Sequence, residues 1–348
     1  MSDAPLVRWL RREFTAINSA LEAAPVADPD LAERRALIDR LLAGASQLPP
    51  LPDRDVAEDD VLRVHLGVAL LHAACARHGV APDDPRQRPV VSWLLEAQRR
   101  WQLAPRLIAA PYLVLNDAED GWPLTFLGSE DERRFIDANT AGLVVYEQAW
   151  TLVQRMRALS LTHPATSGMI EELARVLARL CGIHGRLQAS LDHDAYYLHL
   201  RHYYEGVIVN GRAWSGVNAG DQGWSMALDL ALGLAQGHPG YLAYLHGRLP
   251  YLPPSHRVLV ERELHGRGWM PALERAVAAV PWGRTLARAA VGAFDAHVAA
   301  TWAHLDLAVS FVDTGLGTSG TELRFLEETV RMRRDHPAIA RLRVVAHG

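Results

Sequence analysis

The sequence predicts an all-α protein, a helical bundle with a smaller helical region towards its N-terminal end. Three observations carry that expectation. Apolar residues recur at three- and four-residue steps along almost the whole chain. Alternating β-branched runs are scarce, and the Pro, Gly and Asp clusters fall between the periodic stretches.

Taken in order, Leu6, Trp9, Leu10, Phe14, Ile17 and Leu21 form one apolar stripe, and so a first amphipathic helix. A second is expected over 30–45, from an Asp N-cap to the breaker run Leu48-Pro-Pro-Leu-Pro-Asp53. The stretch 62–79 reads as a buried helix because Leu66, Ala69, Leu70 and Ala73 leave little polar surface. Asp83-Asp84-Pro85 closes it, and 90–101 begins another. Ser129-Glu-Asp-Glu132 has the spacing of a capping box and opens a long helix to about Leu159. Further helices are expected over 165–190, 224–235, 239–248, 255–265, 282–311 and 321–334. Val207-Ile-Val209 before Asn210-Gly211 is the one candidate hairpin arm. We place an N-terminal helical region at 1–125 and the larger bundle at 126–348.

Composition narrows the chemistry. The 348 residues are 49% hydrophobic and 22% charged, with a formal net charge of −4, which gives no polyanion-binding surface. All 36 basic residues are Arg. The absence of Lys removes Schiff-base chemistry, a pyridoxal phosphate anchor, a P-loop and any Lys base. Cys75 and Cys181 alone exclude a disulfide framework and a Cys-rich zinc or iron–sulfur site. The first residues carry no apolar signal core, and 289–311 is interrupted by Asp295, His297, His304 and Asp306. The expectation is a cytoplasmic protein with neither nucleic-acid nor membrane partners.

Several constellations carry chemical meaning. Gly315-Leu-Gly317-Thr-Ser-Gly320 matches a dinucleotide fingerprint but lacks the flanking strands, so it reads as a helix–helix turn or a loop over a pocket. In Trp302-Ala-His304-Leu-Asp-Leu307-Ala308-Val-Ser-Phe311, His304 shares a stripe with Leu307, Ala308 and Phe311. One imidazole on an apolar face suits a haem ligand flanked by side chains that pack on a porphyrin; it also suits a satisfied core histidine. His199 and His202 have a metal-compatible spacing. Tyr197 and Arg201 share a face on which the guanidinium could clamp a carboxylate. The arginines at 331, 333, 334, 341 and 343 are interleaved with acids and read as a solvated face.

In combination these segments resemble the indoleamine and tryptophan 2,3-dioxygenase superfamily of histidine-ligated haem oxygenases, including its monodechloroaminopyrrolnitrin synthase branch. The resemblance runs in order through Gln102-Leu-Ala-Pro-Arg-Leu107, Leu115-Asn116, Trp122-Pro-Leu-Thr-Phe126, Tyr196-Tyr-Leu-His-Leu-Arg201, Asn218-Ala-Gly-Asp-Gln222, Tyr251-Leu-Pro-Pro-Ser-His-Arg257, His304-Leu305 and Gly317-Thr-Ser-Gly-Thr-Glu-Leu-Arg-Phe-Leu326. It implies haem b, with iron on His304 and Leu307, Ala308, Phe311 and Asp229 around the cofactor. It also implies a substrate site of Arg201 as carboxylate clamp, Thr318 and Ser319 of the loop, Tyr112, and Asn218, Ala219 and Gly220. Ala109 stands where the indoleamine enzymes carry a distal aromatic, and Thr301 where they carry an arginine near the haem propionates.

The activity the resemblance implies is O2 insertion into the indole C2–C3 bond of tryptophan or a close derivative, giving an N-formylkynurenine-type product. The alternatives are monooxygenation or rearrangement of a modified tryptophan in secondary metabolism and, from another class, a haem-free helical ligand-binding protein. The implied partners are an indole or aromatic amino-acid substrate, O2, an unidentified reductant and a second copy in a homodimer.

Overall fold

The computed structural model describes residues 4–23, 31–116, 122–311, 315, 317 and 321–348. The chain is helical nearly throughout. The N-terminal part comprises α1 (Pro5–Trp9), α2 (Thr15–Ala23), α3 (Leu31–Ala43), α4 (Glu58–Arg77), α5 (Arg88–Trp101) and α6 (Ala109–Leu113). Two long helices follow, α7 (Glu130–Leu159) and α8 (Ala165–Ser190). A two-stranded hairpin, β1 (Val207–Val209) and β2 (Arg212–Trp214), precedes α9 (Gly223–Leu232), α10 (Pro239–Arg248), α11 (Pro254–Leu264) and α12 (Met270–Ala279). The chain ends in α13 (Gly283–Ser310), α14 (Leu323–Arg334) and α15 (Pro337–His347). No described helix is long and apolar enough to cross a membrane.

Periodicity located most of these elements for a physical reason: the apolar stripe of each is what the core takes. Leu6, Trp9, Leu10, Phe14, Ile17 and Leu21 are all buried, although a π-helical turn at Leu10–Phe14 joins α1 to α2. The hairpin forms as expected, with Val207 opposite Trp214 and Val209 opposite Arg212. Its two-residue loop places Asn210 and Gly211 at φ 48° and 73°, the left-handed pair that a tight right-twisted hairpin requires. Helices α6, α12 and α15 lie outside the expected elements, although α12 carries a stripe of Met270, Leu273, Ala276 and Val277. All five residues of α6 are buried, so there is no polar face to mark a period.

The start of α7 departs in detail from a capping box. Ser129 Oγ accepts the Glu132 N–H at 3.2 Å, as the motif demands. The Glu132 carboxylate, however, accepts the backbone N–H groups of Phe126 and Leu127, at 2.6 and 2.7 Å, and the Tyr112 hydroxyl at 2.7 Å. It therefore ties the long helix to the preceding turn and to α6. Burial pushes this carboxyl up to about 7.

Two large apolar cores result. One unites α7, α8, α9, α12, α13 and α15. The other gathers α1–α6 with Ile136, Leu143, Leu187, Tyr196 and Phe311. The N-terminal core thus draws residues from both sides of the 125/126 division.

Candidate active site

Between the two cores lies a cavity bounded by α7, α8, α9, α13, α14 and the 217–222 segment, with about 290 Å³ of water-accessible space. That is the scale of small-molecule sites. Its walls are largely apolar, with Leu143, Leu180, Ile183, Leu187, Met226 and Leu307 among them, and small where Ala138, Gly142, Ala219, Gly220 and Ala308 line it. Along α13 the lining residues Thr301, His304, Leu307, Ala308 and Phe311 span about 15 Å at the helical rise of 1.5 Å per residue.

The structure brings most of the expected site residues together. His304, Leu307, Ala308, Phe311, Asp229, Tyr112, Asn218, Ala219 and Gly220 all line this one cavity. The His304 ring is enclosed by protein yet open to the cavity space, and among the described residues it has no hydrogen-bond partner. Burial lowers its pKa, and the charge of Arg333 lowers it further, so the ring is neutral with a lone pair to offer. Thr318 and Ser319 lie outside the described residues; Gly317 and Thr321, on either side of them, line the cavity.

Arg201 is placed elsewhere. Its side chain is buried but is not part of the lining. The guanidinium lies 4.7 Å from the Tyr197 ring centroid; Tyr197 stacks on His193, and His193 on Phe311. Phe311 alone of that column reaches the cavity. The shared face of Tyr197 and Arg201 is real, but its product is a cation–π contact rather than a clamp. Arg201→Ala should therefore weaken carboxylated and decarboxylated indoles alike; a selective loss of the carboxylated ligands in a binding titration would restore the clamp. The His199/His202 pair is also split, with His199 on Glu22 and His202 on Glu205.

Arg331, Arg334, Arg341 and Arg343 form the expected solvated face, open to solvent and paired with acids; Arg333 is the exception. Arg333 is buried and is the one arginine on the described lining. Its Nε donates to Asp229 Oδ1 at 3.1 Å and its Nη2 to Asp229 Oδ2. His297 Nε2 lies 2.8 Å from Asp229 Oδ1, and the Tyr241 hydroxyl donates to Oδ2. Burial acts to raise the Asp229 carboxyl, but the Arg333 charge and the His297 hydrogen bond more than offset it, holding Asp229 well below the usual carboxylate range. Thr301 sits one turn from His297 and donates its hydroxyl to the His297 carbonyl at 2.8 Å. A guanidinium thus reaches the Asp229 side of the cavity from α14. Periodicity could not reveal this, because the 331–334 run contains three arginines and only packing selects which one turns inward.

Removing one partner of a buried ion pair strands the other charge. Arg333→Met should cost about 3–5 kcal/mol in denaturant unfolding. The double variant Arg333→Met/Asp229→Leu should recover most of that loss; an unchanged loss would mean that the cost comes from losing the pair itself and not from a stranded Asp229 charge.

Two further polar residues, not singled out in the sequence, line the cavity. Gln222 lines the cavity, and its buried amide oxygen has no hydrogen-bond partner among the described residues. Tyr204 lines the cavity beside Tyr112, the two hydroxyls 3.0 Å apart.

A family model described as monodechloroaminopyrrolnitrin synthase PrnB matches residues 3–297. The chain belongs to the monodechloroaminopyrrolnitrin synthase family. That family lies within the superfamily of the indoleamine and tryptophan dioxygenases, so the expected kinship holds. Comparison with curated proteins gives no match. The matched span takes in the cavity walls from α6 to α9 and about the first half of α13, and ends seven residues before His304, ahead of every lining residue of that helix. The monodechloroaminopyrrolnitrin synthase match therefore supports the scaffold, and the assignment of the residues beyond it rests on the cavity geometry.

Proposed function

We propose that this protein is a haem-dependent oxidoreductase that uses O2 to modify a tryptophan derivative in secondary metabolism, with haem b held in the cavity by His304. The observation that carries the reading is a neutral, unpartnered imidazole opening into an apolar cavity within a chain of this family. The donor set fits the group. One ring nitrogen with a free lone pair suits an axial ligand. Leu307, Ala308 and Phe311 continue the same helix face, and the small residues opposite leave room for a flat macrocycle. Arg333, neutralised in part by Asp229, is the described cation that a propionate or substrate carboxylate would meet.

Bound haem would supply a redox-active iron for dioxygen chemistry. What the chain itself does is position and enclose. The apolar walls exclude water from the reacting centre. The neutral network around Asp229 leaves no strong base on that side of the cavity. The family description names an aminopyrrolnitrin-type product rather than a ring-opened one, which favours rearrangement of a tryptophan derivative over C2–C3 cleavage.

Two measurements test this. Titrating the purified apoprotein with hemin should give a saturable, shifted Soret band; no such band would point to the haem-free ligand-binding alternative. Mass spectrometry of turnover with halogenated and plain tryptophans should then show a skeletal change. A product that has gained two oxygen atoms would assign the dioxygenase reaction instead.

A further inference from the structure

His184, on α8, also lines the cavity, and its ring centroid lies 5.4 Å from that of His304 with the planes tilted by 44°. Two imidazoles joined edge to edge through an N–H···N hydrogen bond of ordinary length have centroids about 5 Å apart. The tautomer of His184 is set by the protein. One ring nitrogen is hydrogen-bonded to the Ala300 carbonyl, so it carries the proton. Nδ1 is then a bare acceptor, buried and unpartnered among the described residues.

Ala300 stands four residues before His304 on α13. A histidine on a helix has that carbonyl within reach of its own ring N–H, as Thr301 reaches the carbonyl of His297. One lone pair of the Ala300 carbonyl accepts the His304 backbone N–H of the helix ladder, and the other faces His184. The usual acceptor for the His304 ring is thereby occupied by the very side chain that presents a free acceptor next to it. Metal-bound imidazoles almost always give their second ring N–H to an acceptor, which fixes the tautomer and raises the ligand's basicity.

We infer that His184 is the positioning residue for His304: no hydrogen bond joins the two rings in this structure, but a small turn of the His304 ring would let the free His184 Nδ1 accept its N–H, leaving the opposite nitrogen of His304 bare towards the cavity and more basic as a ligand. This rests on His304 as the haem ligand. It adds that the ligand is set by a neighbouring helix through a second imidazole, so that the packing of α8 against α13 governs the electronic state of the bound group.

The test uses the full-length protein as His184→Leu, which has no acceptor, His184→Gln, which keeps one, and His304→Ala. Hemin titration of each apoprotein should show His184→Leu binding roughly 10–100-fold more weakly than wild type, with His184→Gln recovering most of the loss. In the ferrous protein the iron–histidine stretching band of His184→Leu should move to lower frequency and the reduction potential should rise. A purely structural role would move neither. Wild-type hemin affinity, band position and potential in His184→Leu, with His304→Ala defective, would overturn the inference and leave the ligand intact. Wild-type hemin binding by His304→Ala would remove the ligand assignment and overturn both.

Discussion

Replacing His304 by alanine is expected to abolish tight hemin binding while leaving the apoprotein folded. The two halves of this expectation have separate causes. The ring offers the only unpartnered imidazole nitrogen that opens freely into the cavity among the described residues. His184, the other lining histidine, has one nitrogen tied to Ala300 and the other shut away from the space. Removing His304 therefore leaves no substitute ligand. Stability should change little, since the ring makes no hydrogen bond and faces empty space, so its loss opens no packing defect. Soret titration and denaturant unfolding of the same preparation check both halves. Added imidazole should restore a histidine-type spectrum, because it can occupy the vacated volume. Full hemin affinity in His304→Ala would end the assignment.

The second large effect is acid sensitivity of the N-terminal core. His65, His72 and His78 sit on α4 and at its C-terminal end, all buried. Burial lowers each from the ordinary 6.5 to about 4. His65 meets the Ala104 carbonyl, which acts to raise its pKa, and His78 lies against Asn18 and Tyr203; burial outweighs these contacts and keeps the rings neutral. A group whose folded value is depressed gives stability that is present above its unfolded value and lost as pH falls through the folded one. The window is therefore about pH 6.5 down to about 4. At about 1.4 kcal/mol per pH step, each ring withdraws about 3 kcal/mol by the lower end. The Glu132 carboxyl, raised to about 7, acts in the opposite sense, favouring the fold as pH falls, but it is one group against three.

The Asp229–Arg333 pair holds to lower pH, because its carboxyl lies well below the usual range. His184, His297 and His304, enclosed on α8 and α13, are lowered as well, so hydrogen exchange at pH 7 and pH 4.5 should show α4 losing protection without α13 being spared. His72→Leu, which replaces a ring having an unpartnered nitrogen, should move the acid midpoint of α4 downwards. A midpoint unaffected by His72→Leu would contradict this account.

Much of the architecture could be read from the chain because one-dimensional periodicity records which face of a helix is buried. The limits of α8 are those expected, and α7 and α13 fall within a residue or two of them. His304 stood out for the same reason, as a single donor on the stripe Leu307, Ala308 and Phe311 that the structure turns towards the cavity. Arg201 lies off the cavity and Arg333 on it, the reverse of what the sequence led us to expect. Both are arginines on faces with aromatic or charged neighbours, and nothing local distinguishes one that stacks on Tyr197 from one that enters the cavity beside Asp229. Glu132 was read as a cap; its pairing with Tyr112 depends on α6, twenty residues away.

By itself the sequence determined the helical class, the hairpin at Asn210-Gly211 and the residue types from which a haem-binding face could be made, because each depends on neighbours within a few positions. Tertiary packing alone decided which arginine is buried, which carboxylate it meets and which imidazole stands behind His304. Those outcomes require helices distant in sequence, α8 with α13 and α14 with α9, to place single side chains within hydrogen-bonding reach, and a difference of one residue in helical phase would reverse them.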